Sequence, residues 1–122
     1  MNPIEGHMKK ILFADDDPTI RDVIHLILDD DYQVTTFTRG EPLMKNEFEV
    51  PDLFLLDRQL SDVDGLDLCR HLKKQSATKD IPIIIISASP NITALAHSAG
   101  ADNVIEKPFL IQELRQMIAS HL

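Results

Sequence analysis

Cysteine, glycine and aromatic residues are all scarce in this 122-residue chain, and each shortage excludes something. A single cysteine, Cys69, rules out an intrachain disulfide, so a cytoplasmic chain is the economical inference. Four glycines leave no glycine-rich cradle of the kind that holds nucleotide phosphates in a P-loop. Basic residues are outnumbered, 12 Lys and Arg against 20 Asp and Glu, for a net charge of −8. That balance argues against a nucleic-acid surface within these residues, because neutralising phosphates takes clustered cations. The longest apolar run, Ile83–Ile86 and its neighbours, is far too short to span a bilayer, so no membrane contact is expected. No signal peptide, internal repeat or low-complexity tract is visible. Residues 1–8, with Gly6-His7-Met8, read as an N-terminal extension or a cloning remnant, and residues 9–122 as one domain.

What is present is a regular alternation of short apolar runs with helical patterns. Ile11-Leu12-Phe13-Ala14 is a continuous apolar run that ends in Asp15-Asp16-Asp17, as a strand buried on both faces would. Asp17 and Pro18 then suit the N-cap and first turn of a helix. Ile20, Val23, Ile24, Ile27 and Leu28 follow at the spacing of one apolar helix face. Val34–Phe37 is a second strand, placed near a sheet edge by its two threonines. Glu41–Phe48 is a short helix candidate. Leu53–Leu56 is a third strand closed by Asp57, and Gly65 precedes a helix carrying Leu66, Leu68, Cys69 and Leu72. Ile83–Ile86 is a run of β-branched residues, a strong central-strand signal. A helix with Ile92, Leu95, Ala96 and Ala99 stops at Gly100, Asn103–Ile105 is the fifth strand, and Leu110–Leu122 is the last helix, with Leu110, Leu114, Met117 and Ile118 on one side. Alternating strands and helices imply a parallel sheet covered on both faces, an α/β fold whose strand order the pattern does not fix.

The polar residues fall at the strand ends. Asp15 and Asp16 follow strand one, Asp57 closes strand three, Ser87 closes strand four, and Lys107 lies just past strand five. In a parallel sheet these ends share one rim, where open α/β sheets bind their ligands. Two carboxylates about 4 Å apart repel by roughly 1 kcal/mol in water and about 4 at an effective dielectric of 20. Three together must raise a pKa or hold a hard cation. With no Cys or His at these ends, oxygen ligands suit Mg²⁺ or Mn²⁺ better than zinc. A lysine and a hydroxyl facing a carboxylate are the parts that stabilise a transferring phosphoryl group, and an Asp can accept one covalently.

Asp15-Asp16, Asp57 with Leu60 and Asp64-Gly65 downstream, Ser87-Ala88, and Lys107-Pro108-Phe109, in that order, closely resemble the receiver domain of two-component response regulators. The likeness runs from about Lys9 to the C-terminus. It implies a flavodoxin-like, doubly wound (βα)5 fold with sheet order 2-1-3-4-5. It implies that Asp57 accepts a phosphoryl group from a histidine kinase or histidine phosphotransfer protein. Asp16, Asp57 and the Gln59 main-chain carbonyl would ligate Mg²⁺, with Asp15 acting through water. Lys107 and Ser87, with Ala88 beside it, would handle the phosphoryl group, and Lys107-Pro108 would be cis. Such a chain is a switch that catalyses only its own phosphorylation and dephosphorylation. Its partner-facing surface would be the fourth helix, fifth strand and fifth helix, a candidate homodimer face.

Three residues depart from the family pattern. Ser87 replaces a commoner Thr and keeps the hydroxyl. Ser61 stands where many members have Pro, which would loosen the loop after Asp57. Val104 occupies the position of a ring that turns inward on activation, so any response of that surface would run through the loop after strand four. Two other functions fit part of the residue set. A phosphohydrolase using an aspartyl phosphate wants a second Asp two residues on, where this chain has Gln59. A degenerate docking module is opposed by the full set of Asp15, Asp16, Asp57, Ser87 and Lys107. Asp62-Val63-Asp64-Gly65 reads as a turn, since Leu60 and the missing Glu spoil a calcium loop. Cys69 and the histidines of the helices read as packing and surface residues, and Arg58 as either a lifetime-tuning or an ordinary exposed side chain.

Overall fold

Whether a strand sits at the centre or the edge of this protein follows its run of apolar residues. The computed structural model describes residues 8–122, so the expected extension, 1–8, lies outside the described residues except for Met8. The described residues form five strands, β1 (Lys10–Ala14), β2 (Gln33–Phe37), β3 (Leu53–Asp57), β4 (Ile83–Ser87) and β5 (Asn103–Glu106). They pair in parallel in the order β2-β1-β3-β4-β5, as expected. Every residue of β3 and β4 is buried, whereas β2, with its two threonines, and β5 are partly exposed edges.

Alternation along each strand divides the core in two. Leu12, Phe54, Leu56, Ile83 and Ile85 point to one face, against α3 (Gly65–Lys73) and α4 (Thr93–Ser98). Ile11, Phe13, Leu55, Ile84 and Ile86 point to the other, against α1 (Pro18–Leu28) and α5 (Ile111–His121). With both faces covered, β3 and β4 are apolar at every position before the polar residue that closes each, Asp57 and Ser87. Each such Leu or Ile contributes about 1.5–3 kcal/mol by leaving water.

The helices follow the sequence with local departures. Asp17 caps α1 as expected, its carboxylate accepting from the Thr19 N–H at 2.9 Å, with Pro18 in the first turn. Ile24, Ile27 and Leu28 are buried, but Val23 sits at the margin, 36% exposed. The short helix α2 (Glu41–Met44) ends well before Phe48. Asn46 turns into the left-handed region (φ 58°), and Phe48 comes back to pack edge-on against Phe54, ring centroids 5.7 Å apart. In α4, Ile92 is the buried N-cap and Leu95 faces outward, 52% exposed. Leu110, expected on the buried side of the last helix, is instead its extended N-cap and 74% exposed; Leu114 and Ile118 carry the packing. Cys69 is buried in the core, and burial pushes its thiol up to about 11, consistent with a packing role. Among the described residues, no helix is long and apolar enough to cross a membrane.

Candidate functional site

Parallel pairing delivers the C-terminal ends of the strands to one rim, and the ladder carries on to the residues just past them. Asp15 N–H donates to the Phe37 carbonyl, Arg58 N–H to Ile86, and Lys107 N–H to Ser87. These bonds hold Asp15, Asp57, Ser87 and Lys107 in register. Asp15, Asp16 and Asp57 each present a carboxylate oxygen, and these oxygens lie within 4.8 Å of one another. Lys107 Nζ stands 3.4 Å from Asp57 Oδ1 and 3.5 Å from Asp15 Oδ2. Asp15 is wholly buried and Asp57 nearly so, while Asp16 is exposed to solvent.

The charges are not balanced within the protein. Burial raises the pKa of the Asp15 carboxyl, and the Asp57 charge adds to that; the Asp17 N–H and the Lys107 ammonium work against it. Asp15 Oδ1 accepts from the Asp17 N–H at 2.9 Å, whereas the buried Oδ2 has no hydrogen-bond partner. Three clustered carboxylates facing a single ammonium, with one buried oxygen met only by that ammonium at 3.5 Å and one member open to water, fit a hard divalent cation with waters in its shell.

The other expected participants are nearby. Gln59 N–H donates to Asp57 Oδ1 at 3.3 Å, so the loop after β3 folds back over the carboxylate. The Ser87 hydroxyl is 1% exposed and occupied by its own loop, accepting from the Ser89 N–H at 3.0 Å and facing the Ser89 carbonyl at 3.4 Å. Ala88, next along, is exposed. The Lys107-Pro108 peptide bond is cis. Arg58 Nε lies 3.9 Å from Asp64 Oδ1, within the loop after β3.

Three features of the site escaped the sequence. Gly65 packs directly on the phosphoacceptor candidate's backbone: a Cβ there would lie 2.4 Å from the Asp57 carbonyl oxygen and 2.7 Å from Arg58 Cα. Arg21 donates to the Asp15 carbonyl at 2.8 Å. Asp62, placed in a plain turn, reaches across to the backbone N–H groups of Gly40 and Glu41, both at 2.9 Å. The loop that Ser61 was expected to loosen is therefore fastened by its neighbours. A glycine directly after a capping Asp was the one available sign of the close approach at Gly65.

A parallel five-stranded sheet with acidic groups and a lysine on one rim defines a phosphoryl-switch class of α/β domain. The sequence model described as the response regulator receiver domain matches residues 11–119, and the chain belongs to that family. It is 37% identical to the probable transcriptional regulator ycf27 of Cyanophora paradoxa, covering 98% of this chain and 50% of that protein. It is 34% identical to the DNA-binding dual master transcriptional regulator RpaA of Synechocystis, covering 88% of this chain and 46% of that one. The chain thus spans about half the length of the curated relatives it matches. Among solved structures, the response regulator TrrA of Thermotoga maritima, in complex with Mg²⁺-BeF, superposes with a TM-score of 0.83 at 31% identity, covering 94% of this chain and all of that one.

Proposed function

We propose that residues 9–122 form a receiver domain in which Asp57 accepts a phosphoryl group, with Mg²⁺ or Mn²⁺ held by Asp16, Asp57 and the Gln59 main-chain carbonyl and by Asp15 through water. One observation carries the reading. The carboxylates of Asp15, Asp16 and Asp57 converge at the rim beside Lys107, with a buried Asp15 oxygen lacking any hydrogen bond. The bound cation would supply charge neutralisation to the incoming phosphoryl oxygens.

This chain's own groups do the rest. An Asp57 carboxylate oxygen forms the new O–P bond as the N–P bond of a phosphohistidine breaks, and the leaving imidazole keeps its electron pair and takes up a proton. Lys107, already 3.4 Å from Asp57, pairs with a phosphoryl oxygen. The Ser87 hydroxyl leaves its bond to the Ser89 N–H and donates to another, drawing Ala88 and the loop after β4 inward. Because Val104 is a half-buried side chain of β5 without a ring, the signal passes to α4 through this loop. Replacing Val104 by Tyr should then change the phosphorylation-dependent shifts of α4 and β5 amides; unchanged shifts would remove the support for altered coupling.

The donor is a histidine kinase or a histidine phosphotransfer protein, and the protein turns over no separate substrate. A cytoplasmic location accords with the single buried, unpaired thiol. A homodimer through α4, β5 and α5 accords with exposed Leu95 on α4, Ile111 on α5 and Leu110 just before it. Incubation with a small acyl phosphate and Mg²⁺, followed by intact-mass measurement, tests the core claim. One phosphate adduct is expected, absent in Asp57→Asn and without EDTA-resistant formation; multiple turnover of an added phosphoester would instead indicate a hydrolase.

A further inference from the structure

The loop from Arg58 to Asp64 carries Gln59, whose N–H touches Asp57 and whose carbonyl is assigned above to the cation. What holds this loop in place is distant in sequence. Asp62 Oδ1 accepts from the Gly40 N–H and Oδ2 from the Glu41 N–H, each at 2.9 Å, across more than twenty residues. Those two N–H groups open α2, where Gly40 is the N-cap and offers no side-chain bond of its own. Asp62 therefore supplies from another loop the acceptor that the α2 terminus lacks.

The fit is close on both sides. A Cβ on Gly40 would come within 2.2 Å of Val63 Cγ2, so the loop and the start of α2 pack without room for a methyl group. At its far end the loop closes on itself, Gln59 bridging Asp64 and the Gly65 N–H donating to the Arg58 carbonyl at 2.8 Å. Slight burial opposes ionisation of Asp62, but the Gly40 and Glu41 N–H groups prevail and lower its pKa, so its carboxylate is charged when it makes these bonds.

We propose that Asp62 is a positioning residue that ties the start of α2 to the Gln59 loop, and thereby sets the affinity of the rim for its divalent cation. The proposal rests on the phosphoacceptor reading above. Release of the loop's middle leaves Gln59 held only by its bridge to Asp64 and its long N–H bond to Asp57, so cation binding must then supply the ordering that Asp62 gave. Linkage makes the effect reciprocal: a cation that orders the loop also orders the N–H groups of Gly40 and Glu41.

The test is Mg²⁺ binding to the unphosphorylated protein, by calorimetric titration, for wild type, Asp62→Ala, Asp62→Asn and Asp16→Asn. Asp62→Ala should weaken Mg²⁺ by roughly tenfold, the scale of a lost outer-shell partner. Asp62→Asn, which keeps one acceptor, should fall between, and it also serves if the alanine variant fails to fold. The phosphorylation rate of the two Asp62 variants should return to the wild-type value at saturating Mg²⁺, which a general loss of structure would not allow. In amide spectra, Mg²⁺ should shift Gly40 and Glu41 in the wild type and leave them unmoved in Asp62→Ala. If folded Asp62 variants bind Mg²⁺ as wild type does while Asp16→Asn does not, the positioning role is overturned and the phosphoacceptor reading stands. If the wild type binds no Mg²⁺, both fall.

Discussion

The loops after β3 and β4 lie side by side on the same rim, yet they are held very differently. The β3 loop is bonded at Gln59, Asp62 and Gly65, bridged from Gln59 to Asp64, and runs into a nine-residue helix that Asp64 caps through the Leu66 N–H. Four side chains of that helix, α3, are buried in the core: Leu66, Leu68, Cys69 and Leu72. The β4 loop has the Ser87–Ser89 contact, a left-handed Asn91, and a six-residue helix without a side-chain cap whose one buried residue is Ala96. Elements that move are drawn from the weakly anchored part of a fold. On the phosphoacceptor reading proposed above, the contrast gives the two loops separate tasks, the first a rigid cradle for Asp57 and the second the part free to respond.

The strongest challenge to the rigid side is Gly65→Ala. Its new methyl group would meet backbone, the Asp57 carbonyl and Arg58 Cα, which cannot move without shifting β3. A loss of about 3 kcal/mol in unfolding free energy is expected by denaturant titration. A loss below about 0.5 kcal/mol would mean that the junction yields and the contrast is overstated.

Amide exchange compares the two sides directly. The amides of Ala96 in α4 and of Ala99 at its C-cap should exchange at least about a hundredfold faster than those of Leu68 and Cys69 in α3, equivalent to roughly 2.7 kcal/mol of local stability. Cys69 gives an independent clock. Its folded thiol titrates near 11 rather than at the ordinary 9.0 because of burial. Linkage makes labelling rise with pH toward 11 whichever route the reagent takes, so the route is read from denaturant: labelling through opening of α3 should speed up with added urea, and a rate that urea leaves unchanged would show that α3 admits reagent without opening.

The contrast also marks what the chain could reveal before folding. The central strands were legible because Leu53–Leu56 and Ile83–Ile86 need apolar residues at every position, and the edge at β2 because Thr35 and Thr36 do not. Convergence of Asp15, Asp57 and Lys107 followed once those strands were parallel, but their order came only with the family resemblance. Helix ends were harder. Nothing local to Glu41–Phe48 announces that Asn46 will turn left-handed, and Leu110 is apolar yet falls outside α5. Asp62 was illegible for another reason: its partners, Gly40 and Glu41, are neighbours only after β2 and β3 take their places in the sheet.

On the yielding side, Gly100 ends α4 at φ 98°, with the Lys73 side chain beneath it. Gly100→Ala brings left-handed strain of about 1–2 kcal/mol, but the atoms it meets belong to a flexible stem rather than to backbone. The loss should therefore be smaller than for Gly65→Ala in the same titration. A reversed order would place the tighter junction at α4 and invert the assignment of the two loops.

The smallest effect separates the Asp62 clamp from simple packing. Its folded pKa lies below 3.8, so the folded state holds fewer protons on this group than the unfolded chain does. Stability from the clamp is then complete above the unfolded pKa and is lost as pH falls through the folded one. Asp62 is largely exposed, so solvent screening keeps the contribution small. Between pH 6 and pH 3, roughly, wild type should lose more stability than Asp62→Asn, which has no carboxylate to protonate. Parallel curves would mean that Val63 against Gly40, rather than the charge on Asp62, fastens the loop to α2.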